Sequence, residues 1–179
     1  MAILRQEAQW VLRAQCSDRE ALELLLRSVQ PSLRRYLCAL VGTRHADDVL
    51  QDVLILVCRK LTWLRAPELF RPWAFRIATR AGVRHAKREK RWLEQSGDDA
   101  TLDAIPAPIA GPSDELLQEL LTSDALSPAS RAVLVLHFQE EMSLGDVGAV
   151  LEIPLGTVKS RLAFGLTALR KYLANTRSL

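Results

Sequence analysis

The chain has 179 residues, 49% of them hydrophobic, with 24 Lys and Arg against 21 Asp and Glu. That supports one medium core or two small ones and argues against a disordered chain. The net charge of +3 is uninformative, but its distribution is not: residues 1–91 carry 18 bases against 9 acids, residues 92–130 carry 8 acids and no base, and residues 131–179 carry 6 bases against 4 acids. Two basic blocks around an acidic connector suit a protein with two polyanion-facing surfaces. No apolar run is long enough to span a bilayer. Arg5, Glu7 and Arg13 interrupt the N-terminus where a signal peptide keeps an apolar stretch, so the expected compartment is the cytoplasm. Cys16, Cys38 and Cys58 stand too far apart for a zinc motif and read as buried free thiols.

In chain order the signals are helical. Ser17 with Glu20 forms a capping-box pattern ahead of residues 21–29. Pro31 suits the first turn of a next helix, with Leu33, Tyr36, Leu37, Leu40 and Val41 at helical spacing and Gly42 as its stop. Asp47 and Asp48 then read as the start of a long helix to about Leu64, their charge placed at its positive end. Ala66-Pro67 breaks it, and a further helix runs from about Pro72 to Trp92. Residues 93–112 read as a linker, since Ser96-Gly97-Asp98-Asp99 is turn chemistry and Pro106, Pro108, Gly111 and Pro112 forbid a continuous helix. Stretched out, some twenty residues reach up to roughly 70 Å. Ser113 caps a short helix over 114–121, and Ser127-Pro128 starts another. There is no convincing strand and no internal repeat. The expected fold class is all-α: two small helical domains, 1–92 and 113–179, joined by the extended linker.

Two stretches of the N-terminal domain carry chemistry. In "DDVLQDVLILVCRKL", Asp48 and Asp52 are four apart and share one helix face, with Gln51 beside them. No third carboxylate or His stands at ligand spacing, which argues against acid–base or metal chemistry and leaves a solvated acidic helix end or a partner-docking face. In "PELFRPWAFRIATRAGVRHAKREKR", Arg76, Arg80, Arg84, Lys87 and Arg91 fall within about a quarter-turn arc and Trp73 projects onto the same face. Aromatic rings beside a basic stripe suit single-stranded nucleic acid, because rings stack on unpaired bases while arginine holds phosphate. Phe70 reads as core.

In the C-terminal domain, Ser143 and Asp146 form a second capping-box pattern. Leu144, Val147, Val150 and Leu151 make the apolar face of a short helix. Glu152-Ile153-Pro154 is a tight break. A second helix begins near Leu155, with Val158, Leu162, Gly165, Leu169 and Leu173 on its inner face. This is helix-turn-helix layout. Thr157, Ser160, Arg161 and Phe164 oppose the inner face and Lys159 lies on a flank, residue types that contact base edges and phosphates. From Ile153 to the C-terminus there are five Lys or Arg and no acid.

The stretch "LSPASRAVLVLHFQEEMSLGDVGAVLEIPLGTVKSRLAFGLTALRKYL", residues 126–173, resembles the fourth conserved region of sigma factors, and "IPLGTVKSRL" is close to that family's commonest wording. The resemblance implies that Thr157, Lys159, Ser160 and Arg161 read the upstream promoter element. Residues 24–92 resemble the second conserved region. There the resemblance implies that Asp48, Gln51 and Asp52 grip the clamp helices of the largest polymerase subunit. It also implies that Trp73, Arg76, Arg80, Arg84 and Lys87 take the downstream element during melting. Three features depart from the family's usual pattern. Glu152 stands where the turn commonly has Gly, Gly148 where the first helix commonly has Ala, and Arg80 to Arg84 lack the family's Asn and Asp. The linker leaves no room for the third domain of larger sigma factors. The chain is therefore similar to the small, extracytoplasmic-function (group 4) subgroup of bacterial sigma-70 proteins.

The partners so implied are core RNA polymerase, including the flap of its second subunit, promoter DNA and, as in many relatives, an anti-sigma protein, with no membrane insertion. No cofactor, metal or catalytic residue is expected, and His45, His85 and His137 sit in no motif. The alternative reading is an autonomous helix-turn-helix regulator, which accounts for the C-terminal half but not for the acidic helix followed by the basic aromatic one.

Overall fold

A computed structural model describes residues 2–96 and 126–176. The expected linker from residue 97 onward, the short helix over 114–121, and the side chains of Arg91 and Leu173 lie outside the described residues. Seven α-helices are described: α1 (Ala2–Gln15), α2 (Arg19–Val41), α3 (Thr43–Lys60), α4 (Phe70–Ser96), α5 (Pro128–Leu134), α6 (Leu144–Leu151) and α7 (Leu155–Thr176). There is no strand among the described residues, as the all-α reading requires.

The first four helices wrap one core. Leu25, Val29, Leu33 and Leu37 on α2 meet Val11 of α1, Val49, Val53 and Val57 of α3, and Phe70, Ala74, Phe75 and Ala78 of α4, all at most 4% exposed. Three of their boundaries differ from expectation. The cap of α2 is Asp18, whose carboxylate accepts from the Ala21 amide at 3.1 Å, while Ser17 takes a positive φ of 68°. Pro31 does not begin a helix but lies inside α2. A proline removes one backbone donor and crowds the preceding turn; here the buried stripe on both sides of it holds α2 together. Finally α3 starts at Thr43, so Asp47 and Asp48 fall in its second turn and its first turn holds no acid. Asp47 instead takes a bidentate bond from Arg34 of α2, at 2.7 and 3.1 Å.

Gly42 (φ 77°) separates α2 from α3 in the left-handed region that favours glycine. Two 3-10 turns, Leu61–Trp63 and Pro67–Leu69, lead into α4. The first is tied to α1 by Gln15, whose amide donates to the carbonyls of Leu61 and Leu64 at 2.9 and 2.8 Å. The thiols are not buried as expected: Cys16 sits in the turn after α1 and Cys58 on the outer side of α3, both exposed, with Cys38 half-buried.

In the C-terminal half, Ser127 caps α5 with Pro128 in its first turn. The helix then widens into a π turn, Val135–Gln139. α6 and α7 close over Val133, Leu134, Leu136, Val147, Val150 and Val158, all at most 1% exposed. The two halves touch: α4 packs on α6, and α2 on α5.

Candidate nucleic-acid interface

On α3 the helical period buries Ala46, Val49, Leu50, Val53 and Val57. It leaves Asp48, Gln51 and Asp52 exposed on the other side. Asp48 and Asp52 make no hydrogen bond or ion pair among the described residues. Ile55, 45% exposed, continues their face. The result is an acidic face with an apolar rim, able to accept cations from outside. Asp47 is not part of it, since the Arg34 guanidinium bonded to it holds its carboxyl below the usual range.

On α4 the inner positions Phe70 and Phe75 are core, Phe75 standing edge-on to Tyr36 at 5.3 Å. Trp73 is half-buried, its ring centroid 6.2 Å from that of Phe70. Arg80, Arg84 and Lys87 are exposed and Arg76 is half-buried, so the structure brings the expected stripe together on one face. The most exposed aromatic nearby is one the sequence reading passed over: Trp63, at 81%, in the first 3-10 turn. No helical periodicity could flag it, because the turn interrupts both helices.

The helix-turn-helix forms as expected. Ser143 accepts from the Asp146 amide at 3.1 Å and donates to the Asp146 carboxylate at 2.6 Å. Glu152 occupies the left-handed turn position with φ 57°, the conformation that glycine adopts more easily. Gly148 is buried under that turn, and a Cβ there would lie 3.1 Å from the Ile153 carbonyl oxygen. Glycine lets the turn sit close, whatever it loses in helix propensity.

The reading helix α7 is rotated relative to expectation. Lys159, Ser160 and Phe164 are exposed, whereas Thr157 and Arg161 are half-buried. The outward stripe continues through Ala163, Thr167, Arg170 and Lys171, so it centres between Lys159 and Ser160, with Arg161 beyond its edge. Arg161 instead lines a cleft of about 410 Å³ between the halves, opposite Gly82, Val83 and Lys87 of α4. Arg161 stands three residues after buried Val158 and four before buried Gly165, so it flanks the inner face rather than opposing it, and the N-terminal half lies against that flank.

The same packing reaches the arginine stripe. Arg80 donates through both Nε (3.4 Å) and a terminal nitrogen to the Glu152 carboxylate. That bond, with the positive charges of Arg80 and Arg76, lowers the Glu152 pKa. Deeper in, Arg71 donates to Glu7 at 3.0–3.1 Å and to Glu140 at 3.4 Å, and Arg35 donates to Glu140 at 3.2 Å. The Glu7 and Glu140 side chains are 2% and 1% exposed. Sequence reasoning missed this cluster, whose bonded pairs lie 64 to 105 positions apart.

Residues 25–92 match the family described as Sigma-70 region 2, and residues 124–171 match Sigma-70 region 4. Among curated proteins, the chain is 31% identical to the ECF RNA polymerase sigma factor SigE of Mycolicibacterium smegmatis, over 86% of this chain and 62% of that protein. It is 28% identical to the RNA polymerase sigma-H factor of Pseudomonas aeruginosa, over 97% and 96%. It is 25% identical to the ECF sigma factor SigW of Bacillus subtilis, over 87% and 90%. Among solved structures, the sigma factor RpoE of Bartonella quintana in complex with the anti-sigma factor NepR superposes with a TM-score of 0.70 at 22% identity, over 85% of this chain and 96% of that one. At that identity the likeness is one of fold alone.

Proposed function

The chain belongs to the sigma-70 family of RNA polymerase specificity subunits, in its extracytoplasmic-function branch, and on that premise we propose how its surfaces divide the work of transcription initiation. It binds core RNA polymerase and directs promoter recognition and opening. Residues 1–92 form the docking and melting unit, 93–112 the linker, and 113–179 the upstream reader. Asp48, Gln51 and Asp52 dock the polymerase clamp helices. Trp73, Arg76, Arg80, Arg84 and Lys87 take the displaced strand of the downstream element. Thr157, Lys159, Ser160 and Arg161 contact the upstream element, with Lys159 and Ser160 presented outward and Arg161 freed once the halves part. The chain acts by binding rather than catalysis, and does so in the cytoplasm. An anti-sigma protein is a further partner class, supported by the solved sigma–anti-sigma complex of the same fold.

The observation that carries this reading is the succession of two surfaces on adjacent helices, an exposed acidic face on α3 and a basic face on α4. An autonomous regulator has no use for the first of them. The test of the melting surface is a transcription assay with core polymerase and the Arg80→Gln, Arg84→Gln double variant. Open-complex formation should fall more than initial duplex binding, because the upstream contacts remain. A merely electrostatic stripe would lose both equally, with a shallower salt dependence.

A further inference from the structure

Beside the docking face, α3 and α4 bring together three side chains that no surface described above uses. His45 stands in the first turn of α3, and His85 and Glu89 stand four apart on one face of α4. His45 Nε2 lies 3.0 Å from Glu89 Oε1, and His85 Nε2 lies 3.9 Å from Glu89 Oε2. The two imidazole rings are 4.8 Å apart between centroids, tilted by 46°. One donor atom from each of the three residues falls within 4.8 Å of the others. The histidine side chains are only about a quarter exposed. We propose that His45, His85 and Glu89 form a divalent transition-metal site of the zinc class, joining the start of α3 to the middle of α4.

An ordinary hydrogen bond from His45 to Glu89 accounts for two of the three groups. It leaves the third unexplained: His85 Nε2 is buried and has no hydrogen-bond partner among the described residues, a state that buried polar atoms rarely keep without reason. A cation between the three supplies that partner. Donors around a tetrahedral zinc ion, each at about 2.0–2.2 Å, lie about 3.3–3.5 Å from one another. The three donors lie within 4.8 Å of one another, with His45 at 3.0 Å from one Glu89 oxygen and His85 at 3.9 Å from the other, so the side chains must draw in by rotation to close on an ion.

The donor set selects the metal. Two imidazoles and one carboxylate suit zinc and its neighbours in the transition series, whereas copper(I) favours thiolate or thioether sulfur. Calcium and magnesium take six or more oxygens, and one carboxylate does not build that shell. Three protein ligands leave a fourth position for water or for a donor from a bound partner. His85 also lines the groove between α3 and α4 with Asp52, Arg84 and Arg88. The metal would therefore pin the two helices at the edge of the docking face. The site stands on its own geometry and does not depend on the proposed function.

The test is zinc binding to the full chain, read by competition with a chromophoric zinc indicator, with cobalt(II) as the spectroscopic probe. The wild type should take one ion per chain, raise its Tm with zinc, and give cobalt bands free of thiolate charge transfer. His45→Ala, His85→Ala and Glu89→Gln should each weaken binding by at least the roughly 10–100-fold loss typical of an outer-shell partner. Glu89→Gln is isosteric at an exposed position and keeps the test valid if a histidine variant fails to fold. A variant with Cys16, Cys38 and Cys58 all changed to Ser should bind as the wild type does. The proposal is overturned if the wild type takes no zinc at micromolar concentration. It is equally overturned if Glu89→Gln binds as tightly as wild type, or if the cysteine substitutions abolish binding.

Discussion

Inside the N-terminal core, the Tyr36 hydroxyl lies 2.8 Å from Thr79 Oγ1, and Thr79 Oγ1 donates to the Phe75 carbonyl at 2.9 Å. With the threonine hydrogen committed to Phe75, the tyrosine is the donor of the first bond. Burial raises the Tyr36 pKa, so the phenol stays neutral and keeps its proton. The two deletions should therefore differ. Tyr36→Phe removes a donor whose acceptor stays bonded elsewhere, and should cost about 0.5–1.5 kcal/mol. Thr79→Val leaves a buried hydroxyl without an acceptor and should cost about 1–3 kcal/mol. Urea unfolding of both variants checks the order; equal losses would place a second acceptor at Tyr36.

At the same scale, acid should act on two capped or paired carboxyls. Asp18 is held below the ordinary carboxylate range by the Ala21 amide and by Arg13, and Asp47 by Arg34. Both titrate lower in the folded chain than in the unfolded one. Their contribution is thus complete above a pH of about 4 and fades as the pH falls through the depressed folded values. Asp47 is exposed, Asp18 is half-buried, and the arginine paired with each is about half exposed, so solvent screens the effect, and Asp18→Asn with Asp47→Asn should flatten the acid limb of a Tm-against-pH profile only slightly.

Among the elements, the buried charge cluster decides how the helices are held. Arg71 begins α4, Glu7 comes from α1, and Glu140 follows the π turn. Arg71→Met leaves the nearly inaccessible Glu7 carboxylate without its cation and Glu140 with Arg35 alone, and should destabilise the fold by about 3–5 kcal/mol, read as a lower denaturation midpoint at unchanged m-value. A loss under about 1 kcal/mol would mean that the cluster is hydrated.

Much of this architecture was legible in advance. Ser127-Pro128, Ser143 with Asp146, and Gly42 mark helix ends locally, by residues whose side chains or φ angles do the work on the spot. What escaped was set from a distance. Pro31 reads as a helix start because its own signal is local, whereas the packing of Leu25, Val29, Leu33 and Leu37 that carries α2 through it is not. The acidic face on α3 and the basic face on α4 could be drawn on helical wheels. Those wheels could not show that Arg161 faces α4, that Glu140 turns inward, or that His45 meets Glu89 across two helices.

On the scale of the whole molecule, the closed arrangement sets Glu152 on the arginine stripe and Arg161 in the interdomain cleft. Two kinds of contact hold it. The Arg80–Glu152 pair is about half exposed on both sides, so salt screens it and it contributes little. Glu140 is buried and bridges to Arg35 and Arg71, so its loss matters more. Glu140→Ala should open the two halves, seen as a larger inter-dye distance between labels on α3 and α7. Glu152→Ala should change that distance less, and its effect should vanish as salt is raised. The reverse ranking would show that the surface pair governs closure.

The central claim is that the acidic face of α3 makes this chain a polymerase subunit. Its most direct test is run-off transcription by core RNA polymerase on a promoter library, with wild type beside the Asp48→Lys, Asp52→Lys double variant matched by circular dichroism. The wild type should direct transcription that core enzyme alone does not, and the variant should lose core binding and transcripts together. A charge-reversed variant that binds core polymerase and initiates as well as wild type would contradict the account.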